Sequence, residues 1–122
     1  MSYQFYLSLH FLGLGLVLFA LGGASFATYL EGQKPVRLKK PIGMLHGIGI
    51  FIMLVAGFGM LARLGIVSSL PNWVYLKLLI WLILGVWIAI VYKLAVKHPV
   101  IAGLLPVVLV VLAGWLANSK LL

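Results

Sequence analysis

An all-α integral membrane bundle of four spanning helices is the fold this chain encodes on first reading. Two features of the sequence lead there. Four apolar runs of roughly 20–25 residues succeed one another, each long enough to cross a hydrocarbon layer. Polar surface is scarce: 65% of the residues are hydrophobic and 8% charged, against about 25% charged in a soluble domain. The chain of 122 residues is read as one membrane domain over residues 1–122.

The first run covers residues 5–29. Met1 to Phe5 has no basic residue ahead of it, so the run is read as a retained span rather than a cleaved leader. The second covers 42–61 and follows Pro41, where a missing N–H costs little at a helix start. The third covers 73–92 and is introduced by Pro71 and Asn72. The fourth covers 99–117, opens on Pro99, has no charged residue, and contains Pro106, which is expected to kink it. The connections are too short to recross the layer, so the helices alternate up and down. Both termini fall on one side, called side A; the opposite side is side B.

Charge supports this arrangement. The net charge is +8 and Glu31 is the sole acidic side chain. Nucleic acid as a partner is rejected, because the cations cluster at the ends of apolar runs. Lys34, Arg37, Lys39, Lys40, Lys93 and Lys97 fall on side B; Arg63, Lys77 and Lys120 fall on side A. The positive-inside bias makes side B cytoplasmic. The expected location is a bacterial inner membrane with N- and C-termini outside the cytoplasm. The basic segment with Lys34, Arg37, Lys39 and Lys40 is read as a contact for anionic lipid headgroups or for a partner. Glu31 is expected to pair with Lys34.

One acid and no Cys remove most catalytic devices. Carboxylate pairs, carboxylate metal sites and thiol nucleophiles cannot be built. Ionisable residues inside apolar runs remain, His10 and Lys77 foremost, with His46 in the second run. Such residues are costly in hydrocarbon and mark function by default. Runs one and three both begin on side A, so His10 and Lys77 share a depth, and Met60 and Arg63 end run two at that level. Trp73, Lys77 and Trp81, four apart, form one stripe. Gly13 lies on the face of His10 and is expected to open a slot beside the imidazole. Imidazole, amine and thioether are all haem-iron ligands. His10 is therefore the candidate iron ligand, with Lys77 and Met60 beside it. Arg63 is read as a snorkelling cation and His98 as a solvated loop residue. His46 is placed about 20 Å from His10 in depth and is read first as a packing residue, second as a cofactor ligand. Gly22, Gly23, Ala24, Gly43 and Gly47 are expected at helix contacts, with further gaps at Gly13, Gly15, Gly57 and Gly59. Run three, poor in Gly, is expected to face lipid or another protein.

The stretch Tyr6-Leu7-Ser8-Leu9-His10-Phe11-Leu12-Gly13 resembles the first span of the HemJ-type protoporphyrinogen oxidases and of the SirB and CopD-like membrane families. Pro71-Asn72-Trp73-Val74-Tyr75-Leu76-Lys77-Leu78 is similar to the Trp-x-x-x-Lys entry of their later span. The resemblance implies a small all-α membrane fold and a haem-b-linked His/Lys pair at His10 and Lys77. The chain has Val86-Trp87 where a Tyr-His pair stands in that family, and lacks its arginine after the first-span histidine. Two functions are carried forward. The favoured one is a non-catalytic accessory subunit packing with other membrane protein subunits through run three and the glycine faces. The alternative is a haem-b or tetrapyrrole-binding protein using the His/Lys pocket for electron transfer or porphyrin oxidation, an oxidoreductase if it is an enzyme.

Overall fold

A computed structural model describes residues 1–119; Lys120, assigned to side A from the sequence, lies outside them. Four helices follow one another: α1 (Tyr3–Glu31), α2 (Val36–Arg63), α3 (Asn72–Ala95) and α4 (Pro99–Ser119). All four are long and apolar enough to cross a membrane, and there is no strand among the described residues. The all-α four-helix membrane bundle expected from the sequence is the fold found.

Local chemistry sets the helix ends. Ser2 caps α1, its Oγ accepting from the Phe5 N–H at 3.2 Å. Gly32 ends α1 at φ +71° and donates to the Tyr29 carbonyl. A left-handed residue here favours glycine, which has no Cβ to clash. Helix α2 begins at Val36, more than a turn upstream of the apolar run, so Pro41 lies inside the helix and not at its start. Arg37, Leu38, Lys39 and Lys40 are good helix formers; hydropathy marks where the lipid core begins, not where the helix does. The basic segment is therefore helical, and the connecting loop shrinks to the residues between Glu31 and Val36.

The packing has a hub. Helix α1 touches α2, α3 and α4, and α3 touches the other three, whereas α2 and α4 do not meet. The α1–α2 pair is the closest. A Cβ placed on Gly13 would stand 2.7 Å from the Gly49 carbonyl oxygen and 2.8 Å from the Met53 nitrogen; one on Gly49 would stand 2.7 Å from the Gly13 carbonyl oxygen. Only glycine allows backbones that near. Gly59 similarly accepts the flat of the Tyr6 ring. By contrast Gly15, Gly22, Gly23, Gly43 and Gly47 face open space, so of the glycines expected at contacts it is Gly13, Gly57 and Gly59 that make them. Helix α3 also departs from expectation. It buries Trp73, Val74, Ile80, Leu84, Trp87, Val91, Tyr92 and Ala95, while α4 buries only Ala102, Pro106 and Leu116 among its described residues. The least buried helix is α4, not α3.

Polar side chains tie the helices through backbone carbonyls. Ser25 Oγ donates to the Pro99 carbonyl at 2.5 Å, joining α1 to α4. His46 Nε2 donates to the Leu84 carbonyl and Trp81 Nε1 to the Ile50 carbonyl, each at 3.0 Å, across the seam between α2 and α3. Trp87 Nε1 donates to the Ala102 carbonyl at 2.9 Å. That last acceptor is special. Pro106 has no N–H, and four residues before it is Ala102, whose carbonyl thereby loses its helical donor. An orphan carbonyl in hydrocarbon has no water to turn to. The indole of Trp87 replaces the missing bond.

Candidate functional site

At the side A end the four helices part around a cavity of about 440 Å³. Each helix contributes to it: His10 and Tyr3 from α1, Met53 and Met60 from α2, Trp73, Lys77 and Trp81 from α3, Ala113 and Asn118 from α4. The structure thus brings His10, Lys77 and Met60 to one cavity, which Trp73 and Trp81 of the α3 stripe also line. The matched depth follows from helix direction: α1 and α3 enter from side A, and α2 ends there.

The imidazole of His10 is half-buried and oriented. Its Nδ1 lies 3.0 Å from the Met53 carbonyl oxygen. A carbonyl only accepts, so Nδ1 carries the hydrogen. In the neutral ring Nε2 then holds the free lone pair. This is how metal-binding histidines are commonly held, one nitrogen on a carbonyl and the other on the metal. Gly57 flanks the ring: a Cβ there would lie 3.6 Å from Cε1, an ordinary contact. Gly13 does not open a slot beside the imidazole; it is filled by the backbone of α2 at Gly49 and Met53.

Lys77 is half-buried in the same cavity. Glu31, the only acidic side chain in the sequence, ends α1 on side B. It stands about 30 Å from His10 along the helix at the usual rise. No side-chain carboxylate of this chain can neutralise the ammonium. The rest of the lining is largely apolar: Leu7, Leu14, Phe58 and Val110 stand beside the residues already named.

His46 is not at the cavity. It is buried on α2, bonded to Leu84. It lies seven residues from Met53, which contacts His10, so by helix rise the two histidines differ by about 10 Å in depth rather than 20 Å. The larger figure came from starting the helix at the apolar run. The separation still forbids one shared metal ion. Among the described residues no group of three or more His, Cys, Asp or Glu could hold a metal ion; a haem iron needs only one or two side chains.

The basic residues lie at the opposite end. Arg37, Lys39 and Lys40 are exposed on the first turns of α2. Lys34 lies with its Nζ 4.7 Å from the centre of the Tyr92 ring, a cation–π contact that the sequence did not announce. The sequence also gave no notice of Tyr3 and Asn118 as cavity residues; their only signal was position, at the side A ends of the first and last runs. Comparison with protein-family models, with curated proteins and with solved structures finds no match.

Proposed function

We propose that this membrane protein binds haem b, or a closely related tetrapyrrole, in the side A cavity, with His10 as the iron ligand. One observation carries the reading: an imidazole fixed through Nδ1 to the Met53 carbonyl, with Nε2 left to ligate, stands in a mostly apolar cavity that also contains a lysine with no side-chain carboxylate near it among the described residues. The donor set fits the group. A porphyrin offers a metal for the imidazole, carboxylates for an ammonium and a flat apolar face for indoles. The volume of about 440 Å³ falls among ordinary ligand cavities, which span roughly 300–1,000 Å³. The resemblance of the His10 and Lys77 segments to the HemJ-type, SirB and CopD-like families supports the same reading.

Haem supplies one-electron chemistry when bound. The chain's own residues do the rest. His10 holds the iron and is oriented by Met53. Lys77 would pair with an acidic substituent of the bound group. Met60 offers a thioether as a further ligand. Trp73, Trp81 and the aliphatic walls exclude water. The accessory-subunit reading favoured by the sequence is served by the apolar outer face of α4, a face that lipid covers equally well; the cavity is what tips the choice.

The protein purified in mild detergent from haem-replete cells is expected to show a Soret band, with reduced-state bands of haem b. A colourless preparation of the folded chain would overturn the proposal. The proposal also places the protein in a bacterial inner membrane with side B in the cytoplasm. That orientation follows from the six cations on side B. A C-terminal fusion to a reporter active only outside the cytoplasm should therefore be active. An inactive but stably expressed fusion would reverse the orientation.

A further inference from the structure

The side B rim, as distinct from the cavity, has a ligand chemistry of its own. We propose that it is a binding site for the phosphate headgroups of anionic phospholipids. Five exposed cations build it: Arg37, Lys39 and Lys40 on α2, Lys93 near the end of α3, and Lys97 just after it. Lys34, just before α2, lies against the Tyr92 ring near the end of α3, and both groups of cations lie at the side B end of the bundle. Glu31 is the only acid available to offset them.

Depth selects lipid over a soluble acidic partner. Because α2 starts at Val36, its cations ride on a rigid helix continuous with the span. Counting back from Ile42 at the usual rise, Lys40 stands about 3 Å and Arg37 about 7–8 Å outside the apolar run. A headgroup layer is roughly 5–7 Å thick on each side of the hydrocarbon. Lys39 and Lys40 are held inside that layer and Arg37 at its outer edge. The side chains between them agree: Val36 and Leu38 are exposed beside Arg37 and Lys39, and Val96 beside Lys97. Apolar groups alternating with cations suit the boundary between acyl chains and phosphates, where each basic residue contributes about fivefold in affinity for an anionic surface.

Native mass spectrometry of the full chain, released from bilayers of phosphatidylcholine and phosphatidylglycerol, tests this. The intact protein should retain phosphatidylglycerol in preference. The exposed triple variant R37Q/K39Q/K40Q should lose at least about fivefold of that preference, the share of one basic residue. K93Q/K97Q should lose part of it, and R63Q, at the other end of α2, none. Raising the salt before release should weaken the preference, since the contacts are exposed. Equal retention of the two lipids by the intact protein, or an unchanged preference in the triple variant with native helicity, would overturn the site. Neither outcome bears on haem, which is read separately from the visible spectrum.

Discussion

His10→Ala is expected to erase the Soret band while leaving a folded bundle. The fold should survive for three reasons. Alanine is the best helix former. The bond lost runs to the Met53 carbonyl, which keeps its own place in the α2 ladder. Its loss costs about 1 kcal/mol. The Gly13–Gly49 crossing, a turn away, does not involve the imidazole. Ligation loses its only imidazole, because no other histidine reaches the cavity, and leaves the thioether of Met60 and the amine of Lys77 as weaker substitutes. Added imidazole offers the discriminating control. If His10 acts as a ligand, free imidazole should enter the space left by the side chain and restore much of the absorbance. If His10 only packs α1 against α2, imidazole will restore nothing. Full absorbance in His10→Ala would show that the iron is held elsewhere.

The second large effect is expected at Trp87. Trp87→Phe removes the donor that satisfies the Ala102 carbonyl. In water the group would find a solvent partner; within lipid it cannot. A destabilisation of about 1–3 kcal/mol is expected from the unpaired carbonyl, added to the cost of a smaller ring. The two parts separate in a double-mutant cycle. Pro106→Ala restores a backbone N–H at the position that should serve Ala102. In that background Trp87→Phe should cost only its packing share. Unfolding in mixed micelles, followed for the four proteins of the cycle, gives the coupling. Additive effects would mean that Trp87 and Pro106 are unrelated, and the indole merely fills space.

This pair shows where sequence reading ends. Pro106 was visible as a break in a helix ladder, but the residue that repairs it lies on another helix. Nothing in linear spacing joins positions 87 and 106. The four helices themselves were legible, since hydrocarbon demands long apolar runs. So was the shared level of His10, Lys77 and Met60, because helix direction and rise set depth by counting. Rotation about the helix axis was not legible in the same way. Gly13 sits on the correct face of α1 to neighbour His10, yet it meets the backbone of α2. Gly43 and Gly47 have the spacing of a contact motif and make none. His46 lies nearer the level of His10 than hydropathy implies for a related reason. Hydropathy finds the edge of the lipid core, and strong helix formers carry α2 well past it.

The hub position of α1 has a consequence for how the chain is made. A ribosome delivers helices in order, and a helix in the bilayer waits for a neighbour before its buried face is covered. Here no helix after the first needs to wait. Helix α2 meets α1 through the Gly13–Gly49 crossing. Helix α3 arrives to find α1 and α2, with Ile50 and Leu84 giving its indole and the imidazole of His46 their acceptors. Helix α4 then closes on α1 and α3. The one pair without close backbone contact among the described residues, α2 and α4, is a pair that order of synthesis does not require. Each new segment is received by a surface already in place, so assembly can keep pace with translation.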